Sequence, residues 1–438
     1  MTVLTYTLGV LLFAVGVALS IGLHEMGHLI PGKLFDVKVT QFFVGFGRTL
    51  WSTKRGETEY GLKAIPLGGY CKLVGMLPPA PDQDPSRVRD TKTGMFTQLV
   101  NDARSAEYEF VEEADKHRLF YNKPWWQRVI IMGSGVTINL LIAFFLFAVV
   151  FMGYGVPKAT TSVEAVSKCV IAVTKENLAK EPRSCRPTDP ESPAKMAGFL
   201  PGDRIVTFNG TDVKSWGHIQ NEIRANGAKT ATIVVDRDGK QVTLHPKTVV
   251  STVPDLENTE RVTKAGFLGV VPTTVNERQG VGFVVTTMVD GTWQTIKAIG
   301  ALPVKLYHVA RAALGLEERD ANGPMSVVGA GRVAGEMASQ HEAPFGARFF
   351  SVLALLAGLN LFLGMINLIP LPPFDGGGIA TTLYEAARRG IARLRHRPDP
   401  GAVDSAKLLP VTYVMAALIL LMTIVLVYAD IVAPVSLT

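Results

Sequence analysis

Two histidines and a glutamate stand together near the end of the first apolar run, in the order His24-Glu25-Met26-Gly27-His28. On a helix, residues four apart project from the same face one turn apart, so the two imidazoles can share one metal ion. Zinc binds histidine nitrogens at about 2.0–2.1 Å. Glu25 projects in an adjacent direction, where a carboxylate can act as a general base. The spacing predicts a hydrolytic zinc site; the alternative is a polar helix end that faces lipid headgroups.

A catalytic zinc ion usually has three protein ligands and one open position. At suitable depth the remaining candidate is Asp375, just past the third apolar run. Pro370, Pro372 and Pro373 break the helix before it, and a broken helix at membrane depth is tolerated where it lines a protein or water-filled cavity. We expect Asp375 to be the third ligand; the alternative is that it caps the following helix.

The elements that must position these groups are apolar. Of the 438 residues, 47% are hydrophobic and 19% are charged, which is typical of a membrane protein. Four runs reach the roughly 20 residues that a helix needs to cross the hydrocarbon core. They span about 3–23, 129–154, 349–370 and 408–428. Ionisable groups at that depth cost roughly 2.5–3.5 kcal/mol each, so they are seldom there without a function.

The net charge is +6, and the basic residues flank the apolar runs. They do not form a basic patch with aromatic residues, which argues against a nucleic-acid partner. Lysine and arginine are dense after the first and the third run. The positive-inside rule places both connections in the cytoplasm. Both termini and the region from about 155 to 348 are then expected outside.

Two regions between the runs differ in character. Residues 78–118 are rich in Pro and charged residues and predict a flexible cytoplasmic insertion. Residues 193–250 predict a small α+β domain, because turn signals separate short β-rich runs and one helical stretch. The runs lie at 204–208, 232–236 and 241–245, and the helix lies at 218–225. Residues 294–318 predict an amphipathic helix at the outer surface, or a helix packed on the soluble domain.

The three cysteines form no CxxC pair. Cys169 and Cys185 bracket a short polar stretch, and a disulfide between them would indicate an oxidising, extracytoplasmic side. The alternative is two unrelated thiols, since sequence alone does not fix their geometry.

Taken in order, these segments resemble the site-2 protease family, and within it the bacterial branch of regulator-of-sigma-factor intramembrane metalloproteases. HEMGH at 24–28 and NLIPLPPFDGG at 367–377 resemble the paired zinc signatures of that family. The stretches 43–47, 65–70, 120–128 and 323–328 resemble further elements of the branch, so the similarity covers nearly the whole chain.

The resemblance implies one Zn²⁺ per chain near the cytoplasmic face, with His24, His28 and Asp375 as ligands and Glu25 as catalytic base. It also implies a substrate-binding role for two asparagines and for a membrane-associated β-hairpin. Asn367 lies in the family motif, and Asn139 follows Gly135-Val136 where the family usually has Gly-Pro. In a hairpin around residues 60–75, Gly68 and Gly69 would allow close approach of a substrate backbone; the alternative is an ordinary cytoplasmic hairpin.

The expected fold is a multi-pass α-helical membrane protein with four transmembrane helices and a membrane-associated β-hairpin. It also has an inserted extracytoplasmic α+β domain, which the resemblance identifies as a PDZ domain. The predicted parts follow the chain in order. They are the first helix with the hairpin (1–77), the cytoplasmic insertion (78–123), the second helix (124–155), the PDZ region (156–250), a linker with an amphipathic helix (251–348), and the third and fourth helices with the Asp ligand (349–438).

The expected function is cleavage of transmembrane segments in single-pass membrane proteins at the plasma membrane. The resemblance suggests an anti-sigma factor or a signal-peptide remnant, trimmed first by another protease. The PDZ domain would exclude substrates with a bulky outer domain or bind a newly made C-terminus. A non-enzymatic scaffold and a zinc carrier are the competing hypotheses.

Overall fold

The computed structural model describes residues 2–78, 111, 113–174, 183–256, 261–320, 322–341 and 343–435. Most of the predicted cytoplasmic insertion, residues 79–110, lies outside the described residues. The described α-helices are α1 (Thr2–Leu34), α2 (Trp125–Ala148), α3 (Pro193–Met196), α4 (Trp216–Asn226), α5 (Val281–Ala313), α6 (Val327–Ser339), α7 (Phe345–Asn367), α8 (Asp375–Leu394) and α9 (Leu409–Val432). The described strands are β1 (Val39–Arg55), β2 (Thr58–Leu73), β3 (Val156–Val166), β4 (Arg204–Phe208), β5 (Thr211–Asp212), β6 (Ile233–Arg237), β7 (Lys240–Leu244), β8 (Val249–Pro254), β9 (Val262–Phe267) and β10 (Val270–Glu277).

The chain divides into two compact units. The larger unit consists of Met1–Gly153 and Gly280–Leu437, and the smaller unit consists mainly of Tyr154–Gln279. Each has its own hydrophobic core.

Four helical segments of the larger unit are long and apolar enough to cross a membrane, which confirms the four predicted runs. They are Val3–Leu34, Trp125–Tyr154, Phe345–Asn367 and Ser405–Val432. The first helix continues past the predicted end, because Leu29 packs in a core with Val37, Val39 and Ile131. As a result, the HExxH residues lie inside α1 and not at its end.

The spanning helices pack through small and apolar side chains. Phe13 and Val17 of α1 contact Ala334 of α6 and Leu356 of α7 in one buried cluster. In a second cluster, α2 contributes Ala143 and Phe147, and α7 and α5 contribute apolar side chains beside them. Close packing of this kind holds helices together where lipid offers no hydrophobic driving force between them.

The hairpin that follows α1 is longer than the predicted one around residues 60–75. The strands β1 and β2 pair antiparallel, with Val39 opposite Leu73 and Arg55 opposite Thr58. Residues 41–44 have partners on both sides, at 59–62 and at 69–72. The predicted segment is therefore only the second strand, and its partner begins at Val39.

The smaller unit has a sheet in the order β10-β3-β4-β6-β7, with β5 paired to β4, and a separate pair β8-β9. Strands β4, β6 and β7 and helix α4 confirm the predicted runs within a residue or two. The core beneath them includes Ile205, Phe208, Ile219 and Ile233, all fully buried. A disulfide joins Cys169 and Cys185, whose Cα atoms are 6.0 Å apart.

The smaller unit runs past residue 250, where we expected a linker to begin. Strands β8, β9 and β10 occupy 249–277, and α5 begins at Val281, earlier than the predicted amphipathic helix. Within the larger unit, Val309 and Ala313 of α5 pack against Leu426 and Ala429 of α9. The predicted domain boundaries and the PDZ assignment stay predictions.

Candidate metal centre

Helix α1 and the first residue of α8 bring three metal-binding side chains together. His24 Nε2 lies 3.3 Å from His28 Nε2 and 3.3 Å from Asp375 Oδ2. His28 Nε2 lies 3.4 Å from the same carboxylate oxygen. These three atoms form a nearly equilateral triangle. Among the described residues, this is the group of three His, Cys, Asp or Glu side chains whose ligand atoms lie close enough together to hold a metal ion.

A backbone carbonyl fixes the orientation of one imidazole. His28 Nδ1 lies 2.8 Å from the carbonyl oxygen of Ile131 on α2. Because a carbonyl only accepts, Nδ1 must be the donor, and in the neutral ring Nε2 then carries a lone pair. Asp375 Oδ2 lies 3.4 Å from this Nε2 and is buried without a hydrogen-bond partner among the described residues. The arrangement brings acceptor atoms face to face, which a cation between them would stabilise.

The triangle fits zinc. Ligands of a tetrahedral site at about 2.0–2.1 Å from the metal lie roughly 3.3–3.4 Å from one another. The three observed separations, 3.3, 3.3 and 3.4 Å, agree with that spacing. A three-ligand set of two imidazoles and one carboxylate is also a common arrangement for catalytic zinc, since it leaves a fourth position open.

The break after α7 aims Asp375 at the histidines. Helix α7 ends at Asn367, and α8 begins at Asp375 after the proline-rich turn. The capping alternative for Asp375 does not hold, because Phe374 occupies the N-cap position and no side chain caps the helix. The aspartate is the first helical residue, and its carboxylate is turned towards α1.

Helix α2 supplies two features that sequence reasoning missed. One is the carbonyl of Ile131, which holds His28. The other is the absent side chain of Gly135, where a Cβ would lie 2.4 Å from His28 Nε2 and 2.8 Å from His24 Cε1. The histidines therefore need glycine at 135. The signal available in the sequence was a glycine inside an apolar helix, which lacks a packing side chain of its own.

The hairpin contacts Glu25. A Cβ on Gly69 would lie 2.9 Å from Glu25 Cγ, so only glycine lets the strand come this close. The carboxylate also interacts with the backbone N–H of Cys71 and lies within electrostatic range of His24 and His28. Glu25 is 9% exposed. Its position beside the imidazoles suits a group that moves a proton.

The remaining predicted residues lie around this centre in different ways. Gly68 packs against the ring of Phe46, and Asn367 is the half-buried last residue of α7. Asn139 is buried on α2, and its Oδ1 has no hydrogen-bond partner in the described part of the chain. A substrate-binding role for any of them stays a prediction. Cys169 and Cys185 lie in the smaller unit.

Comparisons with known proteins agree with the chemistry of the site. The model of peptidase family M50 matches residues 12–398. The chain is 34% identical to the zinc metalloprotease Rip1 of Mycobacterium tuberculosis, and the alignment covers 99% of each chain. It is 32% identical to Rip1 of Mycolicibacterium smegmatis over 98% of this chain and 99% of the relative. The metalloprotease MmpA of Caulobacter vibrioides is 28% identical, with 86% of each chain covered.

The full-length similarity confirms the enzymatic hypothesis and its zinc cofactor over the scaffold and carrier hypotheses, and the spacing of the triangle is compatible with zinc. This chain belongs to peptidase family M50, the site-2 protease family, and is a zinc metalloprotease.

Proposed function

We propose that this enzyme cuts peptide bonds inside the membrane, within the transmembrane segment of a single-pass membrane protein. The observation that carries the proposal is the triangle of His24, His28 and Asp375 ligand atoms, 3.3–3.4 Å apart, on helices packed into a bundle of apolar spans. A hydrolytic site among such helices acts on segments that enter from lipid. We assign the three side chains as the zinc ligands.

When bound, zinc supplies Lewis-acid chemistry that polarises a peptide carbonyl and acidifies water. The chain's own contribution is proton transfer by Glu25. Its carboxylate takes a proton from the attacking water and returns it to the leaving amine. The Ile131 carbonyl keeps the His28 proton on Nδ1, so that Nε2 stays available as a ligand atom.

The substrate helix must unwind before its peptide bonds can be reached, and β2 offers an edge for the extended segment. In the described register, Gly69 pairs on one side only, with Val44. A substrate strand added near Gly68 and Gly69 would run past the carboxylate of Glu25. Backbone pairing of this kind accepts many sequences, which suits a protease that must cut varied apolar segments.

Two asparagines are candidates for holding the unwound backbone. Asn367 ends α7 just before the turn that leads to Asp375, and it is half-buried. Asn139 lies deeper, beside Gly364 on α7, with its Oδ1 free of hydrogen-bond partners among the described residues. Its burial means that α2 and α7 must separate before a substrate can contact it.

The charge pattern supports a plasma-membrane orientation with both termini outside. Basic residues are frequent in the connection after α1. They are also frequent in α8, which contains Arg388 and Arg389, and in the connection that follows it. The metal centre would then lie towards the cytoplasmic face, and the smaller unit would lie outside. The disulfide between Cys169 and Cys185 fits an oxidising extracytoplasmic side.

We further propose that the smaller unit is a PDZ domain that admits only substrates already trimmed by another protease. Anti-sigma factors and signal-peptide remnants are the substrate classes that the family resemblance suggests. A groove lined by Trp216, Ile223, Leu268 and Val270 is the feature that would instead bind a newly made C-terminus.

The central experiment replaces Glu25 by Gln. We expect cleavage of a membrane-embedded test peptide to fall by about 100-fold or more, because the general base is lost, while zinc content stays at one per chain. Membrane proteomics of a strain that carries this variant should show trimmed fragments accumulating relative to the parent. Full activity in purified Glu25→Gln protein would remove this residue from the mechanism.

The filter hypothesis needs a variant without the smaller unit. Val156 pairs with Glu277, so the chain enters and leaves this unit at neighbouring positions. Residues 158–275 can therefore be replaced by a short Gly-Ser linker. We expect the shortened enzyme to cut untrimmed substrate that the full chain rejects. Continued dependence on prior trimming would count against the filter hypothesis, and loss of cleavage of trimmed substrate would favour the C-terminus-binding hypothesis.

A further inference from the structure

One face of α2 meets both elements that carry the proposed ligands. Arg128, Ile131, Met132 and Gly135 are all buried, and their spacing places them along one side of the helix. Ile131 accepts the hydrogen bond from His28, and Gly135 lies against the imidazoles. Arg128 and Met132 face α8 instead. The same helix face therefore contacts the histidines of α1 and the helix that begins at Asp375.

Arg128 forms a two-pronged ion pair with Glu385 of α8 inside the larger unit. Arg128 Nη2 lies 2.7 Å from Glu385 Oε1, and Nη1 lies 3.3 Å from Oε2. The two side chains are only 6% and 3% exposed. Burial alone would raise the pKa of Glu385, but Arg128 and the Val403 backbone N–H hold that pKa below its ordinary value. The pair is therefore charged, and it is directional.

Between the ion pair and the metal centre, α2 and α8 stay in contact. A Cβ on Gly378 would lie 3.0 Å from Met132 Cε, and one on Gly133 would lie 3.9 Å from Ile379 Cδ1. From Arg128 to Gly133 the residue number rises along α2, while the contacting residue on α8 falls from Glu385 to Ile379, nearer to Asp375. The two helices therefore run antiparallel here. A shift of α8 along α2 would carry Asp375 with it.

We propose that Arg128 and Glu385 are positioning residues for the zinc site. Their ion pair sets how far α8 extends along α2 and thereby fixes the distance from Asp375 to the two imidazoles. The inference rests on the proposed function, because it takes those three side chains as the zinc ligands. Neither residue touches the reacting groups. A buried ion pair contributes little net stability compared with apolar packing, so a fixed register explains this pair better than stability does.

A second buried pair provides a matched control. Arg319 Nη2 lies 3.1 Å from Asp430 Oδ1, and these side chains are also 6% and 3% exposed. Asp430 accepts a backbone N–H from Ser326, as Glu385 does from Val403. This pair ties the end of α9 to the segment before α6, and neither element carries a proposed ligand. Breaking it tests the general effect of losing a buried pair.

The experiment compares full-length wild type, Glu385→Gln and Asp430→Asn, purified in detergent. Zinc affinity is measured by competition with a chelator, the ligand geometry by the absorption spectrum of the cobalt(II)-substituted protein, and folding by Tm. We expect Glu385→Gln to bind zinc about 10–100-fold more weakly and to alter the cobalt spectrum, as loss of outer-shell support does elsewhere. Asp430→Asn should lower Tm while its folded molecules keep wild-type zinc affinity and spectrum.

Arg128→Lys provides a milder version, because it keeps the charge and loses the two-pronged contact. We expect a smaller but measurable loss of zinc affinity, and this variant also serves if Glu385→Gln does not fold. Wild-type affinity and spectrum in both variants, or an equal loss in Asp430→Asn, would overturn the inference. If the wild type itself neither binds zinc nor cleaves, the proposed function fails instead.

Discussion

Each unit has an aspartate with at least one oxygen that is buried from water, and the surroundings of the two carboxylates are opposite. Asp203 of the smaller unit is fully buried and has donors for both oxygens. Arg237 donates to Oδ1 and Oδ2 at 2.7 and 2.8 Å, and the Leu200 N–H donates to Oδ2 at 2.9 Å. Asp375 of the larger unit has an oxygen with no hydrogen-bond partner among the described residues, and that oxygen faces two imidazole nitrogens.

We interpret the difference as that between a structural carboxylate and one that we propose to bind metal. Buried polar groups in folded proteins are nearly always hydrogen-bonded, so an exception requires an explanation. Asp203 needs none, because the fold supplies its partners. Asp375 Oδ2 lacks such partners among the described residues, and the zinc ion that we propose it binds would supply one. We expect substitutions at the two positions to have opposite consequences for stability and for metal binding.

Asp375→Asn should give the largest effect of the comparison. We expect zinc affinity to fall more than about 100-fold, a greater loss than outer-shell changes produce, and cleavage to fall with it. The metal-free protein should fold as well as wild type, because the substitution breaks no hydrogen bond to Oδ2 in the described residues. Zinc content, cleavage of a membrane peptide and Tm in the presence of chelator would be measured together. Wild-type zinc affinity in this variant would remove Asp375 from the ligand set.

Gly135→Ala should have the next largest effect, since it fills the space that the imidazoles use. The new methyl would lie 2.4 Å from His28 Nε2, so the ring must move away from the triangle. We expect zinc affinity to drop about 10–100-fold, comparable to the loss of an orienting partner. Gly133→Ala is the matched control on the same helix, because its methyl would meet only Ile379 at 3.9 Å.

Both alanines gain about 1 kcal/mol of helix propensity over glycine. A difference in zinc affinity between the two variants therefore reports the contact with the histidines and not the backbone. Equal zinc affinities would show that His28 has room to adjust, and would weaken the role we give to α2.

Local patterns in the sequence predicted the spans and the strands of the smaller unit. Apolar runs of sufficient length predict helices wherever they occur, and the turns at Asn209-Gly210 and Asp238-Gly239 separate strands by their own chemistry. Ionisable groups are scarce in the spans, so His24, His28 and Asp375 could be singled out before any geometry was known. Their meeting at one point agrees with that prediction, although their ligand role remains a proposal.

Features that depend on distant contacts could not be predicted. The hairpin register joins Val39 to Leu73, and no local signal fixes a pairing across that separation. The Ile131 carbonyl is a backbone atom, which every residue has, so its selection by His28 leaves no trace in the sequence. The ion pair between Arg128 and Glu385 depends on how α8 packs against α2. That packing belongs to the tertiary structure, which local sequence patterns do not specify.

The smallest effect of the comparison belongs to Asp203→Asn. Burial alone would raise the pKa of Asp203, but the Arg237 guanidinium and the Leu200 N–H hold it below its ordinary value. A carboxyl whose folded pKa is depressed contributes stability that is fully present above its unfolded pKa, about 3.9, and lost as the pH falls through the folded value. The smaller unit should therefore weaken in acid, below about pH 4.

At pH 7, Asp203→Asn should cost about 2 kcal/mol of stability in the smaller unit, the scale of a charged hydrogen bond. It should also flatten the acid dependence. Hydrogen exchange of β4 and β6 in the full chain at neutral and acid pH measures both effects, with exposed Asp212→Asn on β5 as the control. Zinc affinity should stay at the wild-type value, because Asp203 has all its partners within its own unit. A loss of zinc affinity on this substitution would mean that the two aspartates are coupled, and the contrast between a structural and a functional carboxylate would have to be abandoned.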